Sequence, residues 1–265
     1  MLAITAGTTA QSVLALVTEQ TKARRIEIVS LIRYISSLDG LLGLMIFGLL
    51  FCYVRPDSPE ETGLSAFWSL VAINLGLGLT VGFLFNSLVA QRFSSEELLL
   101  IVTGMVTLSG GIAAYLHLSP LFVCMMMGIV VVNVSRAKER VIETLVHAER
   151  PVYMILLVFA GAIWRVGDPT LFLLAVVYLL VRSVGKLVGG YISVHGLAGI
   201  PSPGSVGLTL ISQGGIAIAM MLNFQQAYQL EVTNAVITIV LLATMVNELI
   251  SPYLARRVFD HYEGI

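Results

Sequence analysis

Two ionisable residues stand where water should be scarce. Asp39 lies in Ser36-Ser37-Leu38-Asp39-Gly40-Leu41-Leu42-Gly43 and is followed by apolar residues to Val54, and Lys186 lies inside a long apolar run with Arg182 one helical turn before it. An ionisable group within a bilayer costs several kcal/mol on insertion scales and marks an ion or proton pathway more often than a structural feature. A lone carboxylate there can hold a proton or a monovalent cation, not both, so competition for one site couples two fluxes. Threonine hydroxyls and freed carbonyls supply the hard oxygen ligands that Na⁺ or K⁺ prefers. Depth follows from ~1.5 Å of rise per helical residue. Asp39 comes out ~9 Å from the nearer end of its segment, Lys186 and Gln213 ~12 Å, and Thr8 ~13 Å. Polar positions on four segments thus fall in one layer, and the expected ion- and proton-binding set is Asp39, Thr8, Thr9 and Gln213, with Lys186 as charge partner. A monovalent cation would be held by Asp39 with Thr8 or Thr9. Glu248 reads as an end-of-helix cap, a group reaching for the interface or a functional acid, and Arg182 as the same, as a neutraliser of a helix end or as a functional group.

Two stretches would break a helix near that layer: Ala6-Gly7-Thr8-Thr9-Ala10 and Ser212-Gln213-Gly214-Gly215. Paired interruptions in separate parts of a chain point to discontinuous helices that cross near the bilayer midplane, with Gly7, Gly214 and Gly215 as the breaking glycines. The plainer alternative is close helix packing at small residues.

These positions need a membrane around them, and the composition supplies it. The chain has 265 residues, 57% hydrophobic and 12% charged, with a net charge of −1 and a mean hydropathy of +0.91. Soluble domains carry about 25% charged residues. Nucleic-acid binding, a disulfide scaffold and intrinsic disorder are excluded. Cys52 and Cys124 sit in apolar runs as small core residues, and His117, His147, His195 and His261 have no metal-ligand spacing. The expected fold is all-α and polytopic, one transmembrane domain over 1–265 with no soluble domain. About nine transmembrane segments are expected, the first partial: 1–17, 34–54, 66–90, 96–116, 119–134, 151–164, 169–194, 205–224 and 232–254. Numbering the connections alternately puts eleven Lys and Arg on one side and two, Arg55 and Arg165, on the other. The bias predicts cytoplasmic 18–33 and 135–150 loops and a cytoplasmic C-terminus.

With these residues in view, the chain resembles the monovalent cation/proton antiporter superfamily, the bacterial sodium/hydrogen or potassium/proton exchangers. Gly7-Thr8-Thr9-Ala10-Gln11-Ser12-Val13-Leu14-Ala15 is similar to that family's unwound helix, with Ala10 at its proline slot. Leu38 to Leu44 resembles the helix with paired acidic positions, and Ser119-Pro120-Leu121 through Asn133 an apolar helix. Arg182-x-x-Gly185-Lys186-x-x-Gly189 resembles the lysine-bearing helix, Gln213 to Ile218 the second broken helix, and Glu248 to Pro252 the close of the last one. The resemblance runs in order over nearly the whole chain. It implies a secondary active transporter of a bacterial inner membrane, built as a partial inverted repeat. The transporter would exchange Na⁺ or K⁺ for protons, with no bond chemistry and no cofactor. Its partners would be the lipid bilayer, the cation, the proton and a second copy of the chain, with no nucleic acid. Family members carry further helices before the first broken one, including much of the dimer contact. The chain therefore reads as the latter two-thirds of the domain, truncated at its N-terminus. Gly40 falls in the second acidic slot, which usually supplies the ion-binding carboxylate. The alternative expectation is a non-transporting membrane subunit in which Asp39–Lys186 is a structural ion pair.

Overall fold

The computed structural model describes residues 1–10, 26–53, 64–91, 93–164, 169–193, 206–228 and 231–263. Ten helices order the described chain: α1 (Leu2–Gly7), α2 (Ile26–Tyr53), α3 (Leu64–Val89), α4 (Ser95–Tyr115), α5 (Pro120–Val134), α6 (Lys138–Ile163), α7 (Thr170–Ser193), α8 (Val206–Thr209), α9 (Gly215–Ala227) and α10 (Glu231–Glu263). There is no strand among the described residues. Five spans within these helices are long and apolar enough to cross a membrane: Ser30–Tyr53, Phe67–Val89, Ser95–Tyr115, Thr170–Ser193 and Thr233–Val258. A sixth is added if α6, bent by 42° between Glu149 and Pro151, counts as one span. The bend has a local cause, because a proline inside a helix lacks the N–H and its ring clashes with the preceding turn. Leu100, Leu173, Val181 and Leu249 are exposed on the outer faces of these helices. Such surfaces suit an integral multi-pass membrane protein.

Several expected bounds shift. The 135–150 stretch is not an open loop: from Lys138 onward it is the first part of α6. Ile26 to Arg33, within the expected 18–33 loop, is already helical. The 205–224 segment is two helices, α8 and α9, with a non-helical stretch between them, and the last helix runs through Pro252 to Glu263. At 15 residues, α5 is an apolar helix shorter than any of the five spans. Gln11 to Ala15 of the first motif, Arg55 and Arg165 lie outside the described residues.

The chain divides into two compact units. One consists of 1–43, 159–222 and 230–265, the other of 44–158 and 223–229. The second is built on α3, α4 and α5. Val81, Phe85, Val89, Leu98, Val102, Met105, Met127 and Val131 form its buried core. Glycines let α3 and α5 close on each other. A Cβ at Gly78 would lie 2.5 Å from Met126 Cβ, and one at Gly82 2.8 Å from Val130 Cβ. Two small residues four apart on an apolar helix make the groove that a facing helix fills. Helix α4 starts on a capping box, with Ser94 N donating to Glu97 Oε2 at 2.8 Å and Glu97 N to Ser94 Oγ at 3.3 Å. Its end is reversed by His117, whose φ of 54° is in the left-handed region. Ser119 then caps α5, accepting from Phe122 N at 3.3 Å, and Pro120 opens the helix, where its missing N–H costs nothing. Cys52 is buried and accepts from Asn74 Nδ2 at 3.2 Å, and Cys124 lies 3.4 Å from Ser109 Oγ.

The first unit holds every expected site residue. Helix α1 stops at Gly7, Thr8 is extended (φ −72°, ψ 143°), and the backbone from Leu210 to Gly214 is likewise not helical. These two stretches bind each other. Ala10 N donates to Ser212 O at 3.1 Å, and Ser212 Oγ donates to Ala10 O at 3.0 Å. Gly214 makes the approach possible, since a Cβ on it would stand 2.7 Å from Ala10 Cβ. Gly207 does the same for α8 against α7: its Cβ would meet Leu187 Cα and Lys186 O at 2.7 Å, both backbone atoms.

Candidate functional site

Polar groups inside an apolar helix must find partners on the protein, because hydrocarbon offers none. On α7 the polar residues Tyr178, Arg182 and Lys186 recur every four residues, which places them on one face. Each meets a different part of the two non-helical stretches.

Lys186 meets the first break and α2. Its Nζ donates to Asp39 Oδ2 at 2.6 Å, to Thr9 Oγ1 at 2.9 Å and to Gly7 O. Thr9 Oγ1 in turn donates to Asp39 Oδ2 at 2.9 Å. The ammonium is thus surrounded by a carboxylate, a hydroxyl and a carbonyl, three oxygens of the kind that replace the hydration shell of an alkali cation. The pair is partly open: the Asp39 side chain is 28% exposed and that of Lys186 12%. Four residues on from Asp39, Gly43 allows α2 to reach the break, because a Cβ there would fall 2.8 Å from Thr8 Cγ2. Gly40 points elsewhere, toward Ile216, whose Cδ1 would be 3.6 Å from an added Cβ.

Arg182 is buried. It donates through one terminal nitrogen to Ile211 O and through the other to Thr8 O at 2.7 Å and Ser212 O at 3.1 Å. Its Nε has no hydrogen-bond partner among the described residues. Tyr178 belongs to a third, uncharged cluster. Gln213 Nε2 donates to its hydroxyl at 3.1 Å and to Thr5 O at 3.3 Å, Thr5 Oγ1 lies 3.2 Å from the same hydroxyl, and Asn247 Nδ2 donates to Gln213 Oε1 at 3.3 Å.

Of the residues expected to share one site, Thr9, Asp39 and Lys186 are in direct contact. Gln213 is not with them: its amide is fully used by Thr5, Tyr178 and Asn247. Thr8 turns its hydroxyl to Thr5 O at 2.9 Å and contributes its carbonyl, to Arg182. Gly7 contributes its carbonyl to Lys186, Gly214 a close approach, and Gly215 the first residue of α9. Sequence reasoning left out Thr5, Tyr178 and Asn247. The four-residue spacing of Tyr178, Arg182 and Lys186 is the signal that could have found Tyr178.

A cavity of about 800 Å³ opens beside the site, lined by Gly7 and Asp39, by apolar residues such as Leu174 and Val177, and by Tyr178, Arg182 and Lys186 of α7. Parts of the carboxylate and ammonium side chains border this cavity. No group of three or more His, Cys, Asp or Glu able to hold a metal ion occurs among the described residues. Neither a protein-family model nor a curated protein sequence matches this chain.

Proposed function

We propose that this chain is a secondary active transporter that exchanges a monovalent cation, Na⁺ or K⁺, for protons by competition at Asp39. The observation that carries the reading is the shell around Lys186 Nζ: Gly7 O, Thr9 Oγ1 and Asp39 Oδ2, opening on a cavity. A tethered ammonium occupies a place that suits a free cation. In the exchange cycle the carboxylate takes either a cation, which displaces the ammonium, or a proton, which removes the charge that holds it. Neither step makes or breaks a covalent bond in a substrate. The ordered resemblance to the cation/proton antiporters supports the same reading. It carries with it about nine spans, two crossed discontinuous helices, a partial inverted repeat, a homodimer and a bacterial inner membrane with the C-terminus inside. The charge partner would be Lys186, and Thr9 rather than Thr8 would supply the hydroxyl.

The test is cation-driven proton flux in proteoliposomes holding the purified chain, with Na⁺, K⁺ and Li⁺ gradients compared. Flux that needs Asp39 supports exchange. Absence of flux from correctly inserted protein would favour the other reading, a non-transporting subunit in which Asp39 and Lys186 only join two helices.

A further inference from the structure

Arg182 is the charged group that the proposed exchange leaves unused, and its surroundings give it a separate task. A carbonyl in a helix accepts from the N–H four residues on, so a break frees carbonyls. Three such oxygens, Thr8 O from the first break and Ile211 O and Ser212 O from the second, converge on one guanidinium. A single terminal nitrogen bonds one carbonyl from each stretch, Thr8 O and Ser212 O, so it ties the stretches together as well as satisfying them. The position of Thr8 matters more than its chemistry. It lies between Gly7, whose carbonyl accepts from Lys186, and Thr9, whose hydroxyl does.

We infer that Arg182 is a positioning residue: a resident cation that pins Thr8 O to Ser212 O and thereby sets Gly7 O and Thr9 Oγ1 at the distance at which, with Asp39, they close around a cation. The inference concerns the geometry of the shell and does not require that the chain transport anything. A guanidinium is suited to the task because its planar fork offers donors in two directions from one rigid group, whereas an ammonium is a compact point charge on a flexible stem. It also fills the crossing with a charge that cannot leave.

The experiment is hydrogen–deuterium exchange on the whole purified chain in detergent, following peptides that contain the Ala10 and Thr8 amides and, as an internal control, peptides of α3 and α5. Arg182→Gln is expected to speed exchange at Ala10, whose N–H bonds Ser212 O, by roughly tenfold or more while leaving α3 and α5 unchanged. In Arg182→Ala, which leaves the guanidinium's place empty, low-millimolar guanidinium ion should restore protection, and the same concentration of K⁺ should not. Wild-type protection in Arg182→Gln would overturn the proposal, and so would loss of protection in Arg182→Ala that guanidinium does not mend while the α3 and α5 peptides stay protected. If Arg182→Gln yields no folded protein, Arg182→Lys decides. It keeps the charge and loses the fork, and full protection in it refutes the assignment. None of these readouts depends on flux, so a failure of exchange activity and a failure of this role can be told apart.

Discussion

Arg182 and Lys186 stand one turn apart on α7 and are used in opposite ways. Both border the same cavity, but Arg182 is buried and bonds three carbonyls, while Lys186 is partly exposed and bonds a carboxylate as well as a hydroxyl and a carbonyl. In the proposed exchange Arg182 would stay in place and Lys186 would be the cation displaced. The assignment of roles within the site follows from that difference.

Asp39→Asn should reduce cation-driven proton flux to the level of empty vesicles with insertion intact. The amide keeps the shape of the carboxylate and can neither titrate nor hold a cation by charge. Flux in reconstituted vesicles, beside a quantified protein signal, checks it. Normal transport in this variant would remove Asp39 as the coupling group.

Thr9→Val and Thr8→Val should differ. The Thr9 hydroxyl bonds both Asp39 and Lys186, whereas that of Thr8 bonds Thr5 O within its own turn. Thr9→Val removes both bonds, and loss of the hydroxyl as a ligand to the bound cation predicts about a tenfold rise in the apparent KM. A much smaller change is expected in Thr8→Val. Equal effects would argue against the oxygen shell described here.

Gly207→Val should lower the melting temperature in detergent, with a loss of roughly 1–3 kcal/mol, because the added carbon meets the backbone of Lys186 and Leu187 and backbone cannot step aside. Gly185→Ala is the matched control on α7. Nothing lies within 4 Å of its Cβ position, and alanine favours the helix by up to about 1 kcal/mol.

Gly78→Leu should destabilise the unit built on α3 and α5 by a similar amount, whereas Gly76→Leu, two residues earlier and with no neighbour within 4 Å, should be tolerated. Thermal unfolding of the two variants side by side decides the matter.

Arg140→Cys should escape a membrane-impermeant maleimide applied to the outside of intact cells and react once the cells are opened. The basic bias of the connections sets this expectation. Cys52 is buried and Cys124 half-buried, so the protein without the Arg140→Cys change gives the background to subtract. Labelling from outside would reverse the orientation.

The ionisable part of the site was legible because a charge in an apolar run is conspicuous by itself, and so Asp39 and Lys186 stood out. The two breaks were legible from Gly, Thr and Ser in otherwise apolar segments. Gln213 shows the limit. Counting residues from a helix end fixes height along the helix and leaves the direction around it open, and Gln213, at the same height, faces Tyr178 instead of Lys186. Thr5 and Asn247 were hidden for a related reason, since only the fold says which uncharged polar side chain meets which. The close approaches at Gly207 and Gly214 rest on glycines that look like any others in the chain. Helix limits were missed where charge misled: the basic and acidic residues between Lys138 and Arg150 suggested a loop, and they form the opening turns of α6.

The Asp39–Lys186 contact spans 147 residues of chain. A ribosome adding about 5–20 residues per second needs roughly 7–30 s to cover that distance. Through that interval the nascent chain holds a carboxylate in an apolar helix with neither its ammonium nor the second break yet made, while the unit of residues 44–158 already has nearly all its sequence. Assembly is therefore ordered in time: much of the middle of the chain can pack as it is synthesised, and the Asp39–Lys186 contact must wait for α7. A substitution in α7 should then show itself first as a newly made protein cleared by membrane quality-control proteases, before any property of the mature molecule can be measured. Pulse-chase decay of Lys186→Ala beside Asp39→Asn would reveal that order directly. The lysine variant leaves the acid without its partner for good, whereas the asparagine variant removes the burden at its source.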